Sequence, residues 1–274
     1  MSGLGEITIA GVEPFDAIAE VYDNLFTNSA IGSAQRRSVW TELDRNFRPG
    51  QRILEINCGT GVDALHLAGR GIRVVACDSS SGMIAAARRR WEASPHRDGV
   101  DLRHLAIEHI IRLEGEGPYD GIVSNFAGLN CLPDLKQVAA NLARLVSPGA
   151  KAILCLFGRL CLWEVLWYLA QGHFEKAFRR LRPQGVVATL AAGGQVLIRY
   201  PAVRSLQEEF SPYFRLKSWK GVGVAVPPSY LEFFPARFPR LFRWAVEIDP
   251  FLGRCPGFRA LADHVVVALE RSET

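Results

Sequence analysis

The chain has 274 residues, of which 49% are hydrophobic and 22% charged, and carries a formal net charge of +4. This is the profile of a soluble globular protein, long enough for one large α/β domain with insertions or one domain plus a small cap. The mild charge argues against a nucleic-acid binder, which usually needs a concentrated basic stripe.

The N-terminal MSGLGEITIAGVEPFD has no basic n-region and no long apolar stretch, so no secretory signal is expected. Residues 13–48 predict two helices with Gly32 between them. Strands and helices then alternate. RILEIN (52–57) reads as a short apolar strand, and GVDALHLAGRG as a helix stopped by Gly69 and Gly71. RVVACD (73–78) is a second strand. SGMIAAARRRWEA (81–93) is a helix with Ser81 at its N-cap and arginines near its C-terminal end. VDLRHLAI (100–107) and YDGIVSNF (119–126) are further strands. LPDLKQVAANLARLV is a helix ended by Ser147-Pro148-Gly149, and AKAILCLF (150–157) a fifth strand. Strands separated by helices predict βαβ units and a mostly parallel sheet, with ligands beyond the carboxyl ends of the strands.

After Phe157 the alternation stops. Residues 160–182 are helical, rich in tryptophan and then in arginine. The nearest approach to a spanning helix, LCLWEVLWYLA, contains Glu164 and falls short of the roughly 18 apolar residues required. VVATLAAGGQVLIRYP (186–201) reads as a hairpin turning at Gly193-Gly194, and SLQEEFSPYF as a helix. FRLKSWKGVGVAVP (214–227) contains a strand, an aromatic helical insert runs from about 229 to 262, and ADHVVVALER (262–271) is a last strand. Two late strands joined by an insert predict an antiparallel pair at the sheet edge.

The loop after the first strand contains Gly59-x-Gly61-x-x-Ala64, which several cofactors share. Glu55 precedes it at the end of the strand. A carboxylate there would repel a diphosphate and attract an ammonium or sulfonium. Asp78, ending the second strand, can take two ribose hydroxyls. These requirements describe S-adenosylmethionine.

ILEINCGTG resembles the first motif of class I S-adenosylmethionine-dependent methyltransferases, an acidic residue followed by G-x-G-x-G. Asp78 in VVACDSSSGMIAAAR is similar to their ribose-binding acid, YDGIVSNFAGLN to the fourth-strand motif, and LARLVSPGAKAILCLF to the helix, turn and fifth strand. PFDAIAEVYD (14–23) resembles the N-terminal helix that covers the cofactor in the branch containing ubiquinone and menaquinone methylases. The resemblance covers residues 13–157 well and the remainder in outline. It implies an α/β fold: a Rossmann-like seven-stranded, mostly parallel sheet with an antiparallel last strand, plus helical cap insertions. The core would comprise 1–158 and 201–274, with cover helices at 13–48 and a helical insert at about 229–262, and 159–200 would be a cap or substrate insertion.

The same resemblance implies S-adenosyl-L-methionine as cofactor. Glu55, Asn57, Gly59 and Gly61 would surround its methionine end, Asp78 its ribose, and Ser79 and Met83 its adenine. Asn125 and Phe126 would lie near the transferred methyl. Asn57 departs from the usual first glycine, but asparagine tolerates left-handed backbone angles. Relatives often carry an adenine-binding acid after the third strand. Ala106 aligns there, so backbone groups of Ala106 and Ile107 would serve, with Glu108 two places on. Met83 reads equally as helix core and Asn125 as a strand-end cap.

Methyl transfer mainly needs alignment, and a base helps if the acceptor is a phenol or an acidic carbon. Candidate bases are Tyr22, His173 and His264. Their alternatives are a wall of the cofactor pocket, a helix stop and a sheet histidine. No metal-ligand spacing and no G-x-S-x-G occur. The six cysteines form no C-x-x-C pair and mostly sit in apolar runs, as buried thiols do in a reducing, cytoplasmic compartment.

Two apolar stripes mark the inserts: Trp163, Leu166, Trp167, Ala170, Phe174, Ala177 and Phe178, and then Phe238, Leu241, Phe242 and Ala245. Arginines lie beside both. The stripes can pack on each other as a cap with solvated arginines, line a substrate cavity, or lie on a membrane surface. The expected activity is methylation of a small, largely apolar or aromatic acceptor. The expected partners are that acceptor, no nucleic acid, and at most peripheral membrane contact. Rival readings are an NAD(P)-dependent oxidoreductase and a non-catalytic S-adenosylmethionine-binding scaffold protein.

Overall fold

A computed structural model describes residues 15–190 and 194–273. The chain opens with α1 (Ala19–Tyr22) and α2 (Ala30–Asn46), then alternates β1 (Arg52–Ile56), α3 (Val62–Ala68), β2 (Arg73–Asp78), α4 (Ser81–Glu92) and β3 (Val100–His104). After a turn-rich stretch come β4 (Tyr119–Ser124), α5 (Lys136–Leu145) and β5 (Val146–Phe157). The second half holds α6 (Leu162–Ala170), α7 (Phe174–Ala177), β6 (Val186–Thr189), β7 (Gln195–Ile198), α8 (Val203–Phe210) and β8 (Phe214–Val222). It closes with α9 (Phe233–Arg237), α10 (Pro239–Leu252) and β9 (His264–Arg271).

Seven strands form one sheet in the order β3-β2-β1-β4-β5-β9-β8, and β6 and β7 form a separate two-stranded sheet. The first five strands are parallel, and β9 runs antiparallel between β5 and β8. This is the predicted Rossmann-like sheet with its antiparallel last strand. Alternate side chains of the central strands feed two cores, one on each face. Leu54, Ile56, Val75 and Cys77 pack with Leu142 of α5 and Phe210 of α8. Ile53, Val74 and Ala76 pack with Val39 and Leu43 of α2 and Leu67 of α3. Burial on both faces is why these strands read as near-continuous apolar runs.

Several predicted boundaries move. Gly32 lies inside the first turn of α2, not between two helices. Ser29 is the N-cap, its hydroxyl accepting from the Gly32 amide at 2.9 Å. Glycine is required there because a Cβ would stand 1.9 Å from the carbonyl oxygen of Phe26. The cap of α4 is Ser80, one residue before Ser81, and it accepts from the Met83 amide at 3.0 Å. β3 ends at His104, and β5 already starts at Val146. The hairpin is present as β6 paired with β7, but Gly193 of its predicted turn lies outside the described residues, as does Pro14 of the cover segment.

Replacing Gly32 by alanine therefore forces the start of α2 away from the preceding turn. Overpacking of this kind costs about 1–3 kcal/mol, and a chain of this size should lose roughly 2–12 °C in Tm. Thermal unfolding of Gly32→Ala checks it, and an unchanged Tm would contradict the packing.

Candidate active site

Two loops meet at the carboxyl ends of β1 and β4, and both bend through the left-handed region. In the first, Asn57, Gly59 and Gly61 have φ of 56°, 54° and 73°. In the second, Phe126 and Ala127 have φ of 49° and 69°. A left-handed non-glycine residue costs about 1–2 kcal/mol and persists only where its surroundings over-determine it, typically at functional sites. Here the surroundings are the loops themselves. Gly128 sits so close that a Cβ would stand 2.5 Å from the Cβ of Asn57.

Asp78 fixes the glycine turn. Its Oδ2 accepts from the Gly59 amide at 2.8 Å and its Oδ1 from the Ser80 amide at 2.9 Å. Burial raises its carboxyl above the ordinary value, opposed by those two amides. The arrangement does not favour the dinucleotide reading, because the amide that a diphosphate would seek already donates to a carboxylate. A Cβ on Gly59 would meet nothing within 4 Å, so the turn faces open space. That space is a cavity of about 820 Å³.

Asn57, Gly59, Asp78, Ser79, Met83, Ile107, Asn125 and Phe126 all line the cavity. Tyr22 lines it too, from the cover segment. Other expected contacts fall elsewhere. Glu55 is buried under the loop on the α2 side of the sheet and does not reach the cavity. Burial, reinforced by Asp63, pushes its carboxyl well above the ordinary range, and its Oε2 has no hydrogen-bond partner among the described residues. Gly61 turns the chain into α3 and faces α4, where a Cβ would stand 3.1 Å from that of Ala87. Ala106 is off the cavity, whereas Glu108 lines it. His173 is exposed, begins α7 and does not line the cavity.

A second carboxylate lining the cavity near the glycine loop is Asp63, in the first turn of α3. It collects three donors: the Arg36 guanidinium, Trp40 Nε1 at 2.5 Å and Asn125 Nδ2 at 2.9 Å. Arg36 and Trp40 lie four apart on α2 and so share a face. That spacing, followed by an acid at the start of the next helix, was the available signal. The cover segment is clipped down by two further acids. Asp16 accepts from the Ser80 hydroxyl at 2.5 Å and the Gly82 amide at 2.8 Å. Asp23 accepts from the Thr60 hydroxyl at 2.7 Å and pairs with Arg90.

Away from the loops the walls turn apolar. Ring contacts run from Tyr22 through Phe26, Phe126, His264 and Phe157 to Tyr200, with centroids 4.7–6.1 Å apart. Val187, Leu190 and Ile198 of the β6–β7 hairpin region close this side. The hairpin, rather than the tryptophans of α6, forms the wall: Trp163 and Trp167 do not line the cavity. Burial pushes the Tyr22 phenol up to about 12 against the pull of Arg36.

His264 starts β9 opposite Phe157, the last residue of β5, which brings it to the carboxyl end of the parallel strands. Its Nδ1 lies 3.3 Å from Asp263 Oδ2. Although burial works against ionisation, neighbouring His264 and the Arg180 guanidinium hold Asp263 far below the usual carboxylate range. Arg180 is not solvated, as its place in an arginine cluster suggests. It is buried, with guanidinium nitrogens 2.7 Å from Asp263 Oδ1, 2.9 Å from Glu164 Oε2 and 2.8 Å from the Asp263 carbonyl. The Asp263-His264 dipeptide was visible in the sequence, but its arginine stands 83 residues earlier.

Comparison with known proteins agrees with this geometry. The family described as Methyltransferase domain matches residues 53–149. The demethylmenaquinone methyltransferase of Symbiobacterium thermophilum is 29% identical over 216 residues, 72% of this chain and 81% of that protein. The demethylmenaquinone methyltransferase of Beutenbergia cavernae is 31% identical over 152 residues, 54% of this chain and 58% of that protein. The solved DhpI–SAH complex shares the fold with a TM-score of 0.59 at 18% identity, covering 95% of this chain and 94% of that one. Sheet order, glycine turn and these matches together support an S-adenosylmethionine-dependent methyltransferase that resembles the menaquinone-type methylases.

Proposed function

We propose that the enzyme methylates a small, largely apolar or aromatic acceptor at an atom bearing an exchangeable proton, with His264 as the base. The observation that carries this reading is the Asp263–His264 pair facing an aromatic chamber on the far side of Phe126 from the glycine loop. The names of the relatives, demethylmenaquinone methyltransferases, point to an acceptor of the same quinone-like kind. An acceptor of this character resides in or beside lipid, so peripheral membrane contact belongs to the same reading. Six free cysteines, four of them buried, suit a reducing cytoplasmic setting.

The residues around the loop fit S-adenosylmethionine. Asp78 keeps lone pairs for the ribose hydroxyls while gripping Gly59 and Ser80. Met83 and Ile107 offer apolar flanks to the adenine, with Glu108 and the Ser79 backbone at its edge. Arg36 and Asp63 present opposite charges to the carboxylate and ammonium of the methionine moiety, and Asn57 and Asn125 lie beside them. When bound, the cofactor supplies an electrophilic methyl on its sulfonium. The chain's part is to align and deprotonate the acceptor. Residues 159–200 serve as the cap: the hairpin excludes water, and Phe157 and Tyr200 hold the acceptor ring. His264 takes the acceptor's proton, and the Asp263 carboxylate, 3.3 Å from Nδ1, stabilises the imidazolium that forms. Arg180 holds Asp263 in place.

Asp78→Ala should weaken binding of S-adenosylmethionine by about 1–3 kcal/mol, roughly 5- to 150-fold in Kd by calorimetry, with the fold retained. Unchanged affinity would remove Asp78 from the site. Glu55→Gln should leave that Kd nearly unchanged, because Glu55 does not touch the cavity. The same variant carries a pH signature. The folded-state pKa of Glu55 lies above its ordinary 4.5, so its contribution to stability is full below that value and is lost as pH rises toward the folded pKa. A glutamine in its place has no proton to lose, so in denaturant unfolding the variant should gain on wild type as pH rises above 4.5. A parallel pH dependence would show Glu55 to be ionised and paired. On a panel of hydroquinones and phenols scored by mass spectrometry, His264→Gln should cut kcat by about 10²–10⁴ with cofactor Kd unaltered. Full activity would leave the acceptor's proton to water.

A further inference from the structure

The helices of the two inserts turn apolar side chains outward. On α10, Phe242 and Val246 pack inward against Ile31, Ala34 and Val226, and Ala245 and Asp249 are buried. The opposite face carries Leu241, Trp244 and Phe251, which are 51%, 61% and 70% exposed. Exposed Trp167 of α6 meets exposed Phe233 of α9 at 5.6 Å between ring centroids, and Phe234 meets Phe238 at 5.4 Å. These contacts link exposed apolar residues of α6 to α9 and α9 to the start of α10, whose outer side adds Leu241, Trp244 and Phe251. No helix among the described residues is long and apolar enough to cross a membrane.

Cations edge this surface. Arg237, Arg240 and Arg243 are exposed and have no ion-pair partner among the described residues, and Arg237 lies over the Phe238 ring at 5.4 Å. The exposed acids nearby are Glu175, paired with Arg182, and Glu247. Aromatic residues bordered by unpaired arginines suit a plane of apolar tails beneath anionic headgroups. The surface also reaches the cavity. Tyr230 is 44% exposed, lies beside Tyr168 of α6 at 6.3 Å and lines the chamber that holds His264.

We propose that the outer face of α6, α9 and α10 docks on an anionic lipid bilayer, and that the acceptor passes from the bilayer into the cavity beside Tyr230. The docking stands on the exposed face alone, and the passage rests on the apolar acceptor proposed above.

Full-length protein is sedimented with vesicles of phosphatidylglycerol and phosphatidylcholine in equal parts, and with phosphatidylcholine alone. Wild type should bind the anionic vesicles, with a blue shift of tryptophan emission and weakening in high salt. Leu241→Ser with Trp244→Ser should lose at least tenfold in affinity. Arg240→Gln with Arg243→Gln should lose about 5-fold per arginine and most of the salt dependence. Both double variants should keep the wild-type Kd for S-adenosylmethionine, which shows that they fold. Absence of binding to anionic vesicles, or equal binding to both vesicle types in every variant, would overturn the proposal. So would a dimer in sedimentation equilibrium that Leu241→Ser with Trp244→Ser dissociates, because the face would then belong to a second copy. Vesicle binding uses neither cofactor nor acceptor, so its failure is separable from failure of the His264 reading. Binding without faster turnover of a vesicle-borne hydroquinone than of a water-soluble one would retain the docking and remove the passage.

Discussion

One buried carboxylate ties the cofactor end of the cavity together. Asp63 accepts from α2 through Arg36 and Trp40, and from the β4 loop through Asn125, while standing on the helix that the glycine turn launches. Three elements distant in sequence are thereby fixed around one point. Breaking a buried pair by removing one partner typically costs about 3–5 kcal/mol, because the other charge is left uncompensated. Arg36 therefore depends on Asp63 as much as the loop does, and its guanidinium, 4.7 Å from the centre of the Phe126 ring, is held where a carboxylate could reach it.

The two loops pressed against this point carry the strain that follows. Asn57, Phe126 and Ala127 keep left-handed backbones because neighbouring groups leave no alternative. Gly128 admits the Asn57 side chain, the Phe126 amide donates to Asn125 Oδ1 at 2.9 Å, and the Ala127 amide donates to the Cys155 carbonyl at 3.0 Å. The outcome is a rigid turn whose free surface faces the cavity. Rigidity of this kind suits a reaction in which alignment matters more than acid–base chemistry.

The parallel half of the fold was legible because its signals are local. Each strand is a short apolar run, each helix has a cap or a glycine stop, and Asp78 sits at a fixed place after the glycine loop. The left-handed Asn57 was readable for the same reason. Glu55 was misplaced because sequence order puts it beside the loop, whereas strand alternation puts its side chain on the face of Ile53, beneath α2. Asp63, eight residues on, is the acid that lines the cavity from α3, paired with Arg36. Arg180 was out of reach for a different reason. Whether an arginine in a basic cluster is solvated or buried depends on partners such as Glu164 and Asp263, which pairwise spacing does not reveal. Gly32 misled because a glycine between apolar stretches usually breaks a helix, and only the fold shows the Phe26 carbonyl it must clear.

The inserts divide the work differently from what helical periodicity implies. Aromatics at helical spacing left the helices free to pack on each other, to line the chamber or to lie on a membrane, and the chamber is walled by the hairpin and by rings at the strand ends. Residues of both short strands line the cavity, and none of α6 does. The helices are then released from that task, and Leu241, Trp244 and Phe251 of α10 are left exposed. Alternative packing of α6 against α10 would have hidden both stripes, but α10 is committed to α2 through Phe242 and Val246, and Gly253 presses against the Gly221 carbonyl of β8. The exposed face is thus a consequence of how the second insert is anchored to the sheet. Tyr230, between α6 and α9 in sequence, stands beside Tyr168 of α6 and lines the cavity, so the side of α6 that meets it borders the chamber of His264.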